Sequence, residues 1–294
     1  MRTVAARRQT RLVVMLVPAT LFILILLVVP ILVAIPDSFR VWNLLRPDER
    51  AFVGLANFGA LLRDTTFLRS LRFTLTFVFA TLAIEIPMGL GAAIAFSSIR
   101  NSMVRGLGAT VLFIPYMIAP LTTALIWKLL FTFNGFINAL MSGIGLSPIP
   151  WFASPEWAFV AVVIAEIWRS YPFGFLLFLA AITALPEEPY EAAVVDGATR
   201  VQAFRLITLP LLRPTLTIVL IYQIVLKLRV FDLVYLMTAG GPVDYTTPLG
   251  LLVYRYYFRY REAGIGSASA VIVLLISVLI TIVIIRKTFV EQQT

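Results

Sequence analysis

The 294-residue chain contains no cysteine and no histidine. Their absence excludes disulfides, thiol nucleophiles, imidazole general bases and most transition-metal sites together, so hydrolytic and redox chemistry have little to work with. Charge is also scarce, at 13% of residues against roughly 25% in a soluble domain. What replaces it is apolar: 60% of the residues are hydrophobic and the mean hydropathy is +0.95. That excess does not fit one globular core. Several uncharged stretches reach the ~18 to 20 residues a helix needs to cross ~30 Å of hydrocarbon, so the expected solvent is lipid.

Six spans are predicted, at about 12–35, 73–96, 107–130, 158–185, 215–238 and 265–285, within one transmembrane domain covering 12–285. The first is longer than a signal-peptide core and is followed by no small-residue cleavage site, so it reads as a retained helix, with a signal anchor as the alternative. An even number of spans puts both ends, 1–11 and 286–294, on one side. Arg2, Arg7, Arg8 and Arg11, the short loop with Arg100 and Arg105, and the pair Arg286 and Lys287 assign that side to the cytoplasm by the positive-inside rule. The net charge of +9 lies at the edges of apolar spans rather than in one stripe, which fits anionic headgroups better than nucleic acid. Pro87, Pro115, Pro120 and Pro172 interrupt the spans, either as kinks around a pathway or as ordinary kinks in a packed bundle. Trp151, Trp157 and the aromatic cluster from Tyr254 to Tyr260 read as interfacial anchors.

The loop 186–214 is too polar to span and too patterned to be slack. Glu187, Glu188 and Glu191 come soon after Pro186, where a helix N-terminus favours acids. Tyr190, Ala193 and Val194 can share one face of a short helix that Gly197 ends, and a second segment runs from Ala198 to Leu209. Such a helix suits docking into a partner's groove or lying on the bilayer.

Charges inside a span cost about 2.5 to 3.5 kcal/mol each on insertion scales and default to function. Glu166, Arg169, Ser170 and Phe173 have an i, i+3, i+4, i+7 spacing and share one helix face. They offer hydrogen-bonding groups and an aromatic face, the chemistry a sugar needs; the alternative is an intrahelical Glu166–Arg169 pair that makes the span insertable. Tyr222, Leu226 and Arg229 repeat the pattern on the fifth span, with Gln223 and Lys227 one step round. Lys227 and Arg229 can pair with Asp232 or Glu166, or attract an anionic substrate. Glu85 stands alone in the second span, as a relay or as the partner of Arg169, Lys227 or Arg229.

The loop carries a longer pattern. Glu191-Ala192-Ala193, three residues, Gly197, nine residues, Ile207, one residue and Leu209-Pro210 resemble, position for position, the EAA loop of the inner-membrane subunits of bacterial ABC importers. The resemblance covers nearly the whole chain and is nearest to the maltose-type carbohydrate permeases. Val53-Gly54-Leu55-Ala56-Asn57-Phe58 looks like their first external loop, and Ile126-Trp127 through Gly135 to Asn138 like the end of their third core helix. Thr238-Ala239-Gly240-Gly241-Pro242 looks like the turn that closes their penultimate helix, with Ala239 where glycine is more usual.

The resemblance implies an all-α transmembrane fold, the six-helix core of a type I importer of the maltose type. It implies that Glu191, Ala192, Ala193, Asp196, Gly197, Ile207, Leu209 and Pro210 couple to an ATPase, and that Glu166, Arg169, Ser170, Phe173, Tyr222, Gln223, Leu226 and Arg229 lie along the substrate pathway. The implied partners are a second permease, two ATPase subunits and an extracytoplasmic sugar-binding protein, in a bacterial cytoplasmic (inner) membrane. No G-x-x-x-x-G-K-[ST] loop occurs, so this chain is expected to be non-catalytic and to bind no cofactor, with ATP and Mg used by the partner ATPase subunits. A self-sufficient secondary transporter for a small polar solute is the rival, and it predicts internal repeats and a carboxylate ion site.

Overall fold

The structure, a computed structural model, describes residues 2–287, with backbone only for 2–15 and for Ala19. The side chains of the N-terminal arginines and the tail from 288 to 294 therefore lie outside the described residues. Two compact units are present, one of Met1–Arg63 with Val253–Ile272 and one of Asp64–Leu252 with Val273–Thr294.

In the first unit, α1 (Arg2–Ser38) exposes almost every apolar side chain from Leu16 to Ile35, as a helix surrounded by lipid does. A hairpin comes next, β1 (Arg40–Asn43) and β2 (Arg46–Phe52), paired antiparallel with Arg40 opposite Phe52. The sequence pattern does not announce these strands, which add one small hairpin to the helical fold. Beyond it lies α2 (Ala56–Arg63), led in by Gly54 at φ +56°. Asn57 donates from Nδ2 to the carbonyls of Ser38, at 2.9 Å, and Arg40, at 2.8 Å, which fixes the exit from α1 into β1. A Cβ on Gly264 would collide with the Arg40 carbonyl oxygen, so that position has no room for a side chain.

The second unit is built around α3 (Thr65–Ser97) and α7 (Pro155–Thr183). Asp64 caps α3 through the amide of Thr66. The buried positions Phe67, Ser70, Phe73, Phe77, Thr81, Glu85, Gly89 and Ala93 recur every three or four residues on α3, the stripe that faces α7. At Gly89 a Cβ would stand 3.0 Å from the amide nitrogen of Phe175, so glycine permits the two backbones to approach.

Between these helices lie α4 (Ser102–Met117), α5 (Pro120–Leu130) and α6 (Phe136–Gly143). The third predicted span is not one helix: α4 and α5 meet at 89°, because Ile118 and Ala119 are extended and Pro120 starts a new helix. Asn138 fills all four of its hydrogen-bonding positions. It donates to the carbonyls of Phe133 and Ile149 and accepts from the Ile149 amide and Trp151 Nε1. Trp151 is accordingly buried between Phe131 and Trp157, and its reading as an interfacial anchor is corrected.

The loop after α7 holds α8 (Glu188–Val195) and α9 (Arg200–Ala203), a π turn over Phe204–Thr208, and the single turn α10 (Leu209–Leu211). Then α11 (Arg213–Leu228) enters the bundle at 63° to the helical segment before it. The fifth predicted span also breaks, since α11 stops at Leu228 and α12 covers only Asp232–Met237. Last come α13 (Leu249–Tyr254), a π turn over Arg255–Arg259, and α14 (Ala263–Ile285). Among the described residues, four helices are long and apolar enough to cross a membrane, or six if each bent pair forms one span.

Candidate functional site

Three helices bring their charges to one point inside the second unit. Lys227 on α11 extends its ammonium to Glu85 Oε1 on α3 and to Glu166 Oε1 on α7, both at 2.9 Å, and to Ser170 Oγ at 3.1 Å. An ammonium has three donors, so Lys227 is saturated. Ser170 lies 2.6 Å from Glu85 Oε1 and also 2.6 Å from the Glu166 carbonyl, and its single hydroxyl proton serves one of them. Gln223, one turn before Lys227, donates to the Ser170 carbonyl at 3.0 Å. Glu85, Glu166, Ser170, Gln223 and Lys227 are all buried.

Arg169 closes the cluster towards the surface. Its Nη2 lies 3.0 Å from Glu166 Oε1 and its Nε 3.3 Å from Oε2, with 14% of the side chain exposed. Two carboxylates face two cations, so the group carries no net charge when all four are ionised. Balance of this kind lets charge persist in a low-dielectric interior, where an unpaired ion would cost several kcal/mol, roughly.

One turn further along α7, an aromatic ladder begins. Phe173 stacks on Tyr222 of α11, with centroids 4.3 Å apart, and on Tyr116 of α4 at 5.4 Å. The two tyrosine hydroxyls meet at 2.9 Å. Tyr222 is exposed and Phe173 and Tyr116 are half-buried, so the ladder is partly open at its surface.

Of the residues predicted along a pathway, Glu166, Arg169, Ser170 and Gln223 therefore join the charge cluster, and Phe173 and Tyr222 the ladder. Leu226 is half-buried on the same helix, and Arg229 is exposed at its C-cap, outside the hydrogen-bonded cluster. The intrahelical Glu166–Arg169 pair exists, but as one arm of an interhelical network. Lys227 is the partner of Glu85. Tyr116 was missed; a tyrosine directly after Pro115 in an apolar span was the available signal.

The predicted coupling residues occupy α8 and the segment that leads from it towards α11. The N-cap is Glu187, with Glu188 and Glu191 in the first turn, where the helix dipole favours them. Gly197 ends the helix at φ +72°, a conformation that glycine adopts without strain. Glu191, Ala192, Val194, Val195 and Asp196 are exposed, whereas Tyr190 and Ala193 face inward and are half-buried. Ile207 lies in the π turn, and Leu209 and Pro210 in the turn after it.

Broken apolar helices around a buried, charge-balanced polar cluster, with a patterned helix on a polar loop, define a membrane transport component. Residues 85–293 match the family of binding-protein-dependent transport system inner membrane components, and the chain belongs to that family. It is 36% identical over 270 residues to the trehalose/maltose transport system permease protein MalF of Thermococcus litoralis, covering 89% of this chain and 90% of that one. It is 33% identical over 233 residues to the sn-glycerol-3-phosphate transport system permease protein UgpA of Agrobacterium fabrum, covering 78% of each. Among solved structures, it superposes with a TM-score of 0.83, at 25% identity, on a bacterial alginate ABC transporter in complex with alginate pentasaccharide-bound periplasmic protein, over 98% of this chain and 97% of that one. The fold is that of a type I ABC importer permease, and the chain is a multi-pass permease subunit of such an importer.

Proposed function

We propose that this chain forms, with a second and distinct permease, an ATP-driven pathway for an uncharged sugar or polyol. An extracytoplasmic binding protein delivers the substrate, and two ATPase subunits on separate chains dock against α8. In this reading both termini and the 186–214 loop lie in the cytoplasm. Nucleotide and Mg stay with the ATPase subunits.

The observation that carries the reading is the surface of α8. Val194 and Val195 are 75% and 87% exposed on a polar loop, flanked by exposed Glu191, Ala192 and Asp196. An apolar tip on small residues suits insertion into a partner's cleft, with Glu191 available to a basic group there. Relatives named for trehalose, maltose and glycerol phosphate support a polyhydroxylated substrate. The charge balance favours an uncharged one: Lys227 has no donor left for a substrate anion, and Arg169 already has a carboxylate. An ion-driven carrier is disfavoured by family membership and because both buried carboxylates already engage Lys227.

Affinity purification of the tagged chain from native membranes, with mass spectrometry of its companions, tests the assembly. Recovery of a Walker-motif ATPase, a second EAA-bearing permease and a binding protein is expected; a chain that emerges alone and transports in vesicles without ATP contradicts it. For orientation, Val195→Cys is expected to react with an impermeant maleimide only from the cytoplasm and Leu55→Cys only from outside, and the opposite pattern reverses the topology.

A further inference from the structure

The coupling helix is held by little. No residue of α8 is buried, and among the described residues a single side-chain hydrogen bond leaves it: Tyr190 Oη to Thr208 Oγ1, at 2.8 Å. Tyr190 is half-buried, whereas Val194 and Val195 are exposed. Its partner, Thr208, is buried and closes the π turn that spans Phe204–Thr208.

The local sequence explains why Thr208 is available. Pro210 brings no amide hydrogen, and its ring would press on the carbonyl of Leu206 in a regular α-helix. A wider turn relieves that pressure, and the amide of Leu209 bonds back to the Phe204 carbonyl, five residues away. One extra residue in the turn rotates the chain by about 100° relative to an unbroken helix. Thr208 stands four residues before Leu212, where the chain bends by 63° into α11. From there α11 runs without a break to Tyr222, Gln223 and Lys227.

We propose that the Tyr190–Thr208 hydrogen bond is the mechanical tie through which displacement of α8 reaches α11. Tyr190 and Thr208 are positioning residues in this scheme; neither needs to touch ATP or substrate. A push on α8 is delivered to the helical segment ahead of the Leu212 bend, and that segment turns the helix bearing the aromatic ladder and the buried lysine. Without the tie, α8 can shift on the connection around Gly197 while α11 stays behind. The proposal rests on the reading of α8 as the ATPase-docking element.

The chain has no native cysteine, so two labels can be placed cleanly. Nitroxides at Glu188→Cys on α8 and Ile218→Cys on α11, in the complex purified from native membranes, report their separation with and without ATP and vanadate. With the tie intact, one narrow distance distribution is expected in both states. In Tyr190→Phe and Thr208→Val the ATP–vanadate state is expected to gain a second, displaced population, enriched roughly 2- to 10-fold by the loss of one hydrogen bond. Thr208→Ser keeps the hydroxyl and is expected to restore the single distribution, a rescue that a packing role for the methyl group would not give. A distribution that stays single in Tyr190→Phe overturns the tie. A cysteine-to-amine crosslinker on Glu188→Cys separates the two readings. If it recovers the ATPase while Tyr190→Phe changes nothing, only the tie fails; if it recovers no ATPase, the docking role of α8 and the tie fall together.

Discussion

Lys227 and Glu85 stand 142 positions apart in the chain, and their side chains meet at 2.9 Å in the interior, where Glu166 takes the same ammonium from the other side. One lysine thus joins α3, α7 and α11. Replacing it with methionine leaves two buried carboxylates facing each other with only Arg169 nearby. The expected loss is about 3 to 5 kcal/mol, the range for breaking a buried ion pair from one side. Lys227→Met should lower the thermal midpoint of the purified complex and its yield, and adding Glu85→Gln should recover part of both. An unchanged midpoint in Lys227→Met would make the cluster energetically idle.

The turn after α12 makes the opposite kind of prediction. Ala239 sits at φ +50°, in the left-handed region, beside Gly240 at φ +88°. Thr246 braces the turn, meeting Thr238 Oγ1 at 2.8 Å and donating to the Gly241 carbonyl at 2.6 Å. A Cβ in that conformation costs roughly 1 to 2 kcal/mol, so Ala239→Gly should stabilise the chain by about 1 kcal/mol once the entropy of glycine is counted. Thermal unfolding of the two forms decides it; a lower midpoint in the glycine variant would show that the alanine methyl makes contacts worth more than the strain.

Much of this was legible beforehand because it is local or covalent. Apolar runs coincide with the long helices α1, α3, α7 and α14, and the acids after Pro186, the face shared by Tyr190, Ala193 and Val194 and the stop at Gly197 correspond to the short helix α8 and its end. The faces of α7 and α11 came from 3.6-residue periodicity. What stayed hidden depends on partners distant in sequence. Glu85 had three candidate partners, and nothing in α3 distinguishes Lys227 from Arg169 or Arg229. Trp151 looked interfacial because the sequence does not reveal that Asn138 would draw its indole nitrogen inward. The prolines on either side of Ile118 announce a kink but not an 89° bend, no proline marks the break at Arg229, and the hairpin was masked by its charged second strand.

The aromatic ladder gives a functional prediction. Stacking of a pyranose or polyol face on exposed Tyr222 should be lost in Tyr222→Ala, raising the half-saturation concentration for uptake by roughly 2- to 10-fold, the equivalent of about 0.5 to 1.5 kcal/mol. Tyr222→Phe retains the ring and loses only the bond to Tyr116, so its effect should be smaller. Uptake by the reconstituted complex of the sugar carried by its co-purified binding protein measures both. Equal kinetics for wild type and Tyr222→Ala would remove the ladder from the pathway.

ATP binding elsewhere in the complex should change which side of the membrane reaches the polar face of α7 and α11. Leu226→Cys, half-buried one position before Lys227 in an otherwise cysteine-free chain, reports this through its rate of reaction with an impermeant maleimide. Without nucleotide the cysteine should react from the cytoplasmic side; with ATP and vanadate that reaction should slow and labelling from outside should rise. Identical rates from each side in the two states would contradict an ATP-driven pathway through this chain.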